Sequence, residues 1–415
     1  MFFSALKKFD KLRKTSFSAK EYDLSSYELF DLVLNKNIKK GRLYFLEFPM
    51  NLILALLSLY SIIKAKIKNI QKVNYFIAYN DQIYDPRTDS YLSKIEHRNF
   101  LNIIRTNNFK VSIKAFIKYE NVFFHQSIAY FSRFFLIERV FSLKEKFLHV
   151  HRCNMRKQKI YSFFFKFLKI KKLIMIDDYR EIQSFLMVCQ KLNISSVGIM
   201  HARFSKFRVS LKYSYFDKYI VWTQYFKKKL IEINPKYKNK IIINNFRNFK
   251  RIKKTRLSHE LRILFFSDHM MDCESVINYL NQLKNKKIKI FIKLKNNQNE
   301  NKSFLKYIND NNFVNINVKS VSDAVKKYNP DFFIATNSNV LLEATLYDCF
   351  PILLKTKNDY SFDLIKDKVV FQYSDKKDFY SFLKKLKTKK YLLNNIYNKL
   401  WKSTNKDLDL KKILS

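Results

Sequence analysis

Glycine is almost missing from this sequence: 415 residues contain two, Gly41 and Gly198. That excludes the G-x-G-x-x-G and G-x-x-x-x-G-K-[ST] loops, which need glycine so that backbone can approach a phosphate closely. Any phosphate bound here is held by other means. Cysteine is scarce as well. Cys153, Cys189, Cys273 and Cys349 show no C-x-x-C spacing, which argues against a zinc ribbon or thioredoxin-like motif and fits a reducing compartment. No apolar run reaches the ~20 residues of a membrane span without interruption. The longest, residues 43–63, is broken by Glu47 and Pro49, and its cleaner part, 50–63, is short. We read it as a buried or interfacial helix flanked by lysines. The first residues mix Phe with Lys and lack the apolar core and small-residue cleavage site of a signal peptide.

Acidic residues are also few, 35 against 80 Lys and Arg, giving a formal net charge of +45. Such an excess suits phosphate neutralisation by a nucleic-acid binder. The lysines, however, are spread along the whole length, and no RNA-recognition or zinc-finger motif accompanies them. The enriched Lys, Asn, Ile, Phe and Tyr share A/T-rich codons, so base composition explains much of the excess. We therefore expect no nucleic-acid partner, a largely solvated basic surface, and attraction to acidic phospholipid headgroups as the functional use of the charge.

What the chain does have is aromatic and aliphatic mass: 47% of residues are hydrophobic and 17% aromatic. That suffices for packed cores, and the length suits two domains. Residues 330–354, PDFFIATNSNVLLEATLYDCFPILL, predict a buried strand (332–335), a polar turn, a short helix ended by Cys349, Phe350 and Pro351, and a second strand (352–354). Asn337, Ser338 and Asn339 thus stand at a helix start, whose unpaired N–H groups suit phosphate oxygens, and Glu343 follows one turn later, where a carboxylate can accept from ribose hydroxyls. Helix capping by Ser and Asn is the bland alternative.

A βαβ unit precedes it. Strand 171–176 runs into Asp177, Asp178, Tyr179, Arg180 and Glu181, a helix follows to about Leu192, and strand 196–200 runs into His201. In open parallel sheets ligands bind beyond the carboxyl ends of strands, which brings Asp178, Glu181 and His201 toward one crevice. Further strands are predicted at 240–243, 261–266 and 288–294, with a polar linker at 244–258 between the first two. Residues 1–80 read as mainly helical, 85–108 as a polar loop followed by a helix, and 111–168 as aromatic core at helical spacing. In the loop and helix of 85–108, Arg87, Glu96, His97 and Arg105 suit recognition of an anionic sugar or deprotonation of its hydroxyl, or plain surface pairing. His149, His151 and Cys153 sit on a helical pattern that turns His151 away from the other two, so no metal site is expected.

The runs IMIDDYREIQSFLMVCQKLNISSVGIMHARF, FDKYIVWTQYFKKKLIEINPKYKNKIIINNFR and ATNSNVLLEATLYDCFPILL resemble the GT-B glycosyltransferases of bacterial surface-polysaccharide (capsule and lipopolysaccharide) biosynthesis. These are similar in turn to polysialyltransferase-like and glycerophosphotransferase-like enzymes. The resemblance spans residues 171–354. It implies an α/β fold of GT-B type, with two Rossmann-like domains whose parallel sheets face across a cleft. The expected layout is an acceptor-side domain at 1–250 with a helical N-terminal region, a donor domain at 251–385, and C-terminal helices at 386–415 returning to the first domain.

It further implies transfer of a sugar from a CMP-, UDP- or GDP-linked donor to a surface glycan or lipid-linked acceptor. Such an enzyme has no cofactor, often manages without a metal, and works in the cytoplasm or at the inner face of the cytoplasmic membrane. Transfer needs a base for the acceptor hydroxyl and charge for the departing phosphate. His201 or Asp178 is the candidate base, with Glu181 beside them. Arg247, in the interdomain crossing, is a candidate for the donor phosphates. The chain departs from relatives in having Ala202 and Arg203, not Gly, after His201, and Lys295 and Asn296 where a His-Pro pair is common. A donor-phosphate or leaving-group contact is then either missing or supplied by Lys293 or Lys295. A nucleotide-sugar epimerase of the same fold and a non-catalytic basic binding protein are the alternatives.

Overall fold

A computed structural model describes residues 2–15, 29–31, 33–34, 47–77, 97–106, 108–134, 142–176, 182–205, 207–245, 249–252, 260–268, 271–284, 287–294, 302–311, 313–318, 320–356, 360–374 and 378–402. The chain divides into two compact units, built chiefly on Ser4–Arg247 and Asn248–Ser403.

The first unit holds seven strands: β1 (Lys72–Ile77), β2 (Leu101–Arg105), β3 (Val122–Phe124), β4 (Lys172–Met175), β5 (Ser195–Ile199), β6 (Lys218–Val221) and β7 (Ile241–Ile243). All pair in parallel, in the order β3-β2-β1-β4-β5-β6-β7. The second unit holds β8 (Leu261–Phe266), β9 (Ile288–Lys293), β10 (Val314–Asn315), β11 (Phe332–Ala335), β12 (Phe350–Leu354) and β13 (Phe371–Tyr373). These too are parallel, ordered β10-β9-β8-β11-β12-β13. Each sheet runs outward from its first strand and then reverses, the doubly wound arrangement. The α/β class and the paired parallel sheets expected from the sequence are both present.

Strands buried on both faces read as continuous apolar runs. In β11 and β12, FFIA and FPILL, every residue is buried. Pro351 lies inside β12, so Phe350 and Pro351 belong to the strand and not to the end of the preceding helix. The ladder explains why it fits. Phe350 N–H donates to the Asp331 carbonyl (2.9 Å) on the β11 side, so position 351 faces β13, whose pairing starts only at Ile352. The missing donor costs no ladder bond. Asp331 fastens this region: its carboxylate accepts from the Arg262 amide (3.0 Å) and from Lys387 Nζ (3.0 Å), and it is buried.

Two expectations change in the first unit. Residues 72–77 and 101–105 are strands, where the sequence pattern suggests helix and loop-helix. Asn74 and Asn102 disguise them, being buried polar residues within strands. The Asn74 amide donates to the Asn102 side chain (3.4 Å), and Asn102 donates to the Phe100 carbonyl (3.3 Å). The aromatic stretch 111–168 likewise contains β3 between its helices.

Glycine scarcity shapes the helix ends. Asn69, Lys169, Asn193, Asn329, Asp348 and Lys368 all take left-handed backbone conformations, each just past a helix, where glycine is usual. In five of them the next residue closes a six-residue loop back into the helix, as Ile170 N–H does to the Phe165 carbonyl (2.9 Å) and Val369 N–H to Leu364 (3.1 Å). Gly198, in β5, is needed for space rather than conformation. A Cβ there would lie 2.5 Å from the Tyr219 ring and 2.8 Å from that of Phe216.

Candidate functional site

In the second unit the strand order reverses between β8 and β11, and their carboxyl ends bound the crevice where doubly wound sheets take ligands. Residues from the two strand ends meet there. Asp268, two residues past β8, is buried and accepts a short hydrogen bond from the Thr336 hydroxyl, which directly follows β11. Asn337 Oδ1 accepts from the Ser361 hydroxyl (2.9 Å). Ser338 Oγ accepts from the Val340 amide (3.3 Å), so its oxygen serves the first turn of the helix Val340–Glu343 while its hydrogen remains able to donate outward. Asn339 and Glu343 are half-buried and four residues apart, hence on one face.

That helix is short, and a 3-10 turn, Ala344–Tyr347, continues it. Three contacts secure it. Trp401 Nε1 donates to the Leu342 carbonyl (3.2 Å) and to Thr345 Oγ1 (3.1 Å), and Ile252 N–H donates to Leu346 (2.6 Å). Arg251 pairs with Asp348 through Nε (2.9 Å) and Nη2 (2.5 Å). Residues 249–252 of the expected linker 244–258 are thus bound to this unit, and the division between the two units falls within that stretch, at 247/248.

Lys293 ends β9, but its ammonium donates to the Val318 carbonyl (2.5 Å), on the β10 side and away from the β8–β11 crevice. Burial lowers its pKa, with Asp323 acting in the opposite sense. Arg247 and Lys295 lie outside the described residues.

In the first unit, the reversal falls between β1 and β4. His201 follows β5 and is buried, as are Arg203 and Arg208. A guanidinium stays charged at any working pH, so the carboxyl end of β5 is a buried cationic position. Arg208 is absent from the residues the sequence marks; its signal is a cation inside the apolar frame of Phe207 and Val209. Asp178, Glu181, Arg87 and Glu96 lie outside the described residues. His97 opens a 3-10 turn, His97–Asn99, and Arg105 is the last residue of β2, so these two stand at opposite ends of one short stretch.

His125, after β3, is a histidine the sequence does not mark. Its Nδ1 makes a short hydrogen bond with the Tyr161 hydroxyl, and its ring packs beside the Tyr75 and Phe185 pair. It is a core histidine with its polar atom satisfied. His149 and Cys153 share the helix Leu143–Phe167 with His151. Among the described residues no group of three metal-ligating side chains forms. The thiol of Cys189 is pushed far above its usual range by burial, with Asp217 adding to the effect, which leaves it inert as a nucleophile.

No protein-family model and no curated protein sequence matches the chain. Solved structures do resemble it in shape. CalG4, the calicheamicin glycosyltransferase, superposes with a TM-score of 0.51 at 9% identity, covering 80% of this chain and 94% of its own. MnaA of S. aureus, solved with UDP, gives 0.49 at 8% identity over 83% and 95% of the two chains. MurG of Acinetobacter baumannii gives 0.48 at 12% over 83% and 98%. The fold assignment rests on the first of these together with the two strand orders: the chain has the GT-B fold.

Proposed function

We propose that this protein is a glycosyltransferase that moves a sugar from a nucleotide-sugar donor to a surface glycan or lipid-linked acceptor. The observation that carries the reading is the polar cluster at the β8–β11 reversal, where Asp268 is tied to Thr336 and Asn337 to Ser361, and the half-buried Ser338, Asn339 and Glu343 follow directly in the chain. In this reading the Ser338 hydroxyl and Asn339 amide donate to donor phosphates, and Glu343 accepts from the ribose hydroxyls. Asn337, held by Ser361, positions the turn. To Arg247 we assign the charge that meets the departing phosphate. Lys293 is a weaker candidate for that role, because its ammonium is already engaged by Val318.

On the acceptor side we assign the base to His201 or Asp178, with Glu181 as a further catalytic residue, and acceptor contacts to Arg87, His97 and Arg105. We rank His201 ahead of Asp178 because imidazole is the side chain most often used for such a proton transfer. The leaving-group charge is assigned to side chains, with no metal in the step. The likeness of fold to CalG4, described as a glycosyltransferase, supports the class of reaction. A cytoplasmic site of action belongs to the same proposal.

The test is a thermal-shift comparison of CMP, CDP, UDP, GDP and ADP on the full chain, with Ser338→Ala and Glu343→Ala alongside. One nucleotide at a hundred times its Kd raises the melting temperature of the unit that binds it by about 5–10 °C, and both substitutions abolish the shift. If no nucleotide stabilises the protein, or if both variants respond as the parent does, the donor assignment is wrong.

A further inference from the structure

The helix Phe48–Ile67 is amphipathic the wrong way round. An ordinary surface helix buries its large aliphatic residues and shows its polar ones. Here the buried face includes Asn51, Ser58, Ser61 and Ala65, along with Leu54 and Ile62. The two serines cover a sheet edge. β3 is the edge strand, and its outward amides at Phe124 and Val122 donate to Ser58 Oγ (3.0 Å) and Ser61 Oγ (3.3 Å). The helix thereby closes that open edge with hydroxyls. The opposite face carries Leu52, Leu56, Leu59, Tyr60, Ile63 and Ile67, with Leu56 59% and Ile67 80% exposed.

The apolar surface continues onto two neighbours. Tyr60 meets Phe116 of the helix Phe109–Lys118 (6.3 Å between ring centroids), which also presents Ile117 at 79% exposure. Lys66 Nζ sits over the Phe167 ring (4.9 Å) and donates to its carbonyl (2.7 Å), and Phe167 stacks on Phe163, itself 66% exposed. Three helices therefore contribute to one apolar face, and cations rim it. Lys66, Lys110, Lys114, Lys166 and Lys169 are all exposed on these helices or at their ends. The carboxylate in their midst, Glu120, is taken up by Lys68 (2.5 Å) and Arg98 (3.4 Å).

We propose that this face docks on an anionic phospholipid bilayer, lying in the interface with its aliphatic side chains among the acyl chains and its lysines at the headgroups. The combination of an apolar stripe and a lysine rim is what an interfacial helix requires. Charge decides the choice of occupant: a second copy of a chain with net charge +45 would bring lysine rim against lysine rim, whereas phosphatidylglycerol supplies the opposing negative charge. Length and hydropathy alone would also permit the helix to cross a membrane, but its serine bonds to the edge of the β3 strand hold it along the body of the domain. The inference rests on this face and is independent of the transfer reading above.

The experiment is co-flotation of the full chain with vesicles of phosphatidylcholine alone or with phosphatidylglycerol added, read together with sedimentation equilibrium in vesicle-free buffer. The parent protein floats with the anionic vesicles and not with the neutral ones. Leu56→Gln combined with Ile63→Gln, and separately Lys110→Glu combined with Lys114→Glu, each lower the vesicle partition coefficient about tenfold or more. All four positions are exposed, so unchanged melting curves confirm folding. Partitioning that the variants leave unaltered overturns the proposal. So does a parent dimer that the glutamine variant splits, which would give the face to a second copy, and so does protein that alkaline carbonate fails to strip from vesicles, which would make the helix a span.

Discussion

Asp331→Ala destabilises the Asn248–Ser403 unit by about 3 kcal/mol. The carboxylate lies at the amino end of β11 and takes two donors, the Arg262 amide of β8 and the ammonium of Lys387 from the helix Phe379–Lys387, each at 3.0 Å. Its own amide donates to the Arg262 carbonyl (2.7 Å). Truncation leaves a backbone N–H without its acceptor and a largely buried ammonium without its counter-charge, and both penalties fall on the strands that carry the candidate donor site. Asp331→Asn keeps an acceptor for the amide while losing the charge pair, so it costs about half as much. The chain's two tryptophans, Trp222 and Trp401, fall one in each unit. Urea titration of Trp401 fluorescence in a Trp222→Phe background therefore reads this unit alone. A loss below about 1 kcal/mol would show that the pairing is dispensable.

Gly198→Ala lowers the stability of the Ser4–Arg247 unit by about 2 kcal/mol, and Gly198→Val by more. The position has ordinary backbone angles, so the cost is steric: a methyl would overlap the rings of Tyr219 and Phe216, both fully buried. Tyr219 packs in turn against Phe204, Phe216 and Tyr237 at centroid distances of 5.4 to 5.7 Å. A ring so enclosed has nowhere to move, and the reduced chain entropy of the unfolded Ala variant offsets only about 0.4–1 kcal/mol. Trp222 fluorescence in a Trp401→Phe background gives the measurement. Parent-like stability of Gly198→Ala would mean that the aromatic cluster yields.

The second sheet is legible in the sequence because its strands are buried on both faces. Continuous runs such as LRILFF and FFIA admit no other reading when turn residues bound them, and β8 and β11 have the limits expected. The strands β1 and β2 are hidden because Asn74 and Asn102 interrupt their apolar runs, and the bond that makes those residues tolerable joins positions 28 apart. The candidate site shows the same division. Asn337, Ser338, Asn339 and Glu343 stand close together in one stretch of sequence, whereas Asp268 and Ser361 enter only through partners 68 and 24 residues away. Lys293 is marked by its strand end, but strand position does not settle which neighbour an ammonium reaches. The helix Phe48–Ile67 starts at the residues that look like interruptions: Glu47 precedes it and Pro49 falls in its first turn, where a missing N–H costs nothing.

The left-handed caps leave the protein with unclaimed thermal margin. A side chain held in that conformation costs about 1 kcal/mol or more, and glycine would remove the cost while giving back part of it as unfolded-chain freedom. Lys169 and Lys368 are exposed, sit in different units and follow different helices. Lys169→Gly and Lys368→Gly therefore each stabilise by about 0.5 kcal/mol, and the two gains add in urea titrations of the two units. A composition that drove glycine out of the sequence has left the backbone strained at its turns, and engineering can restore at those positions what the codons withheld.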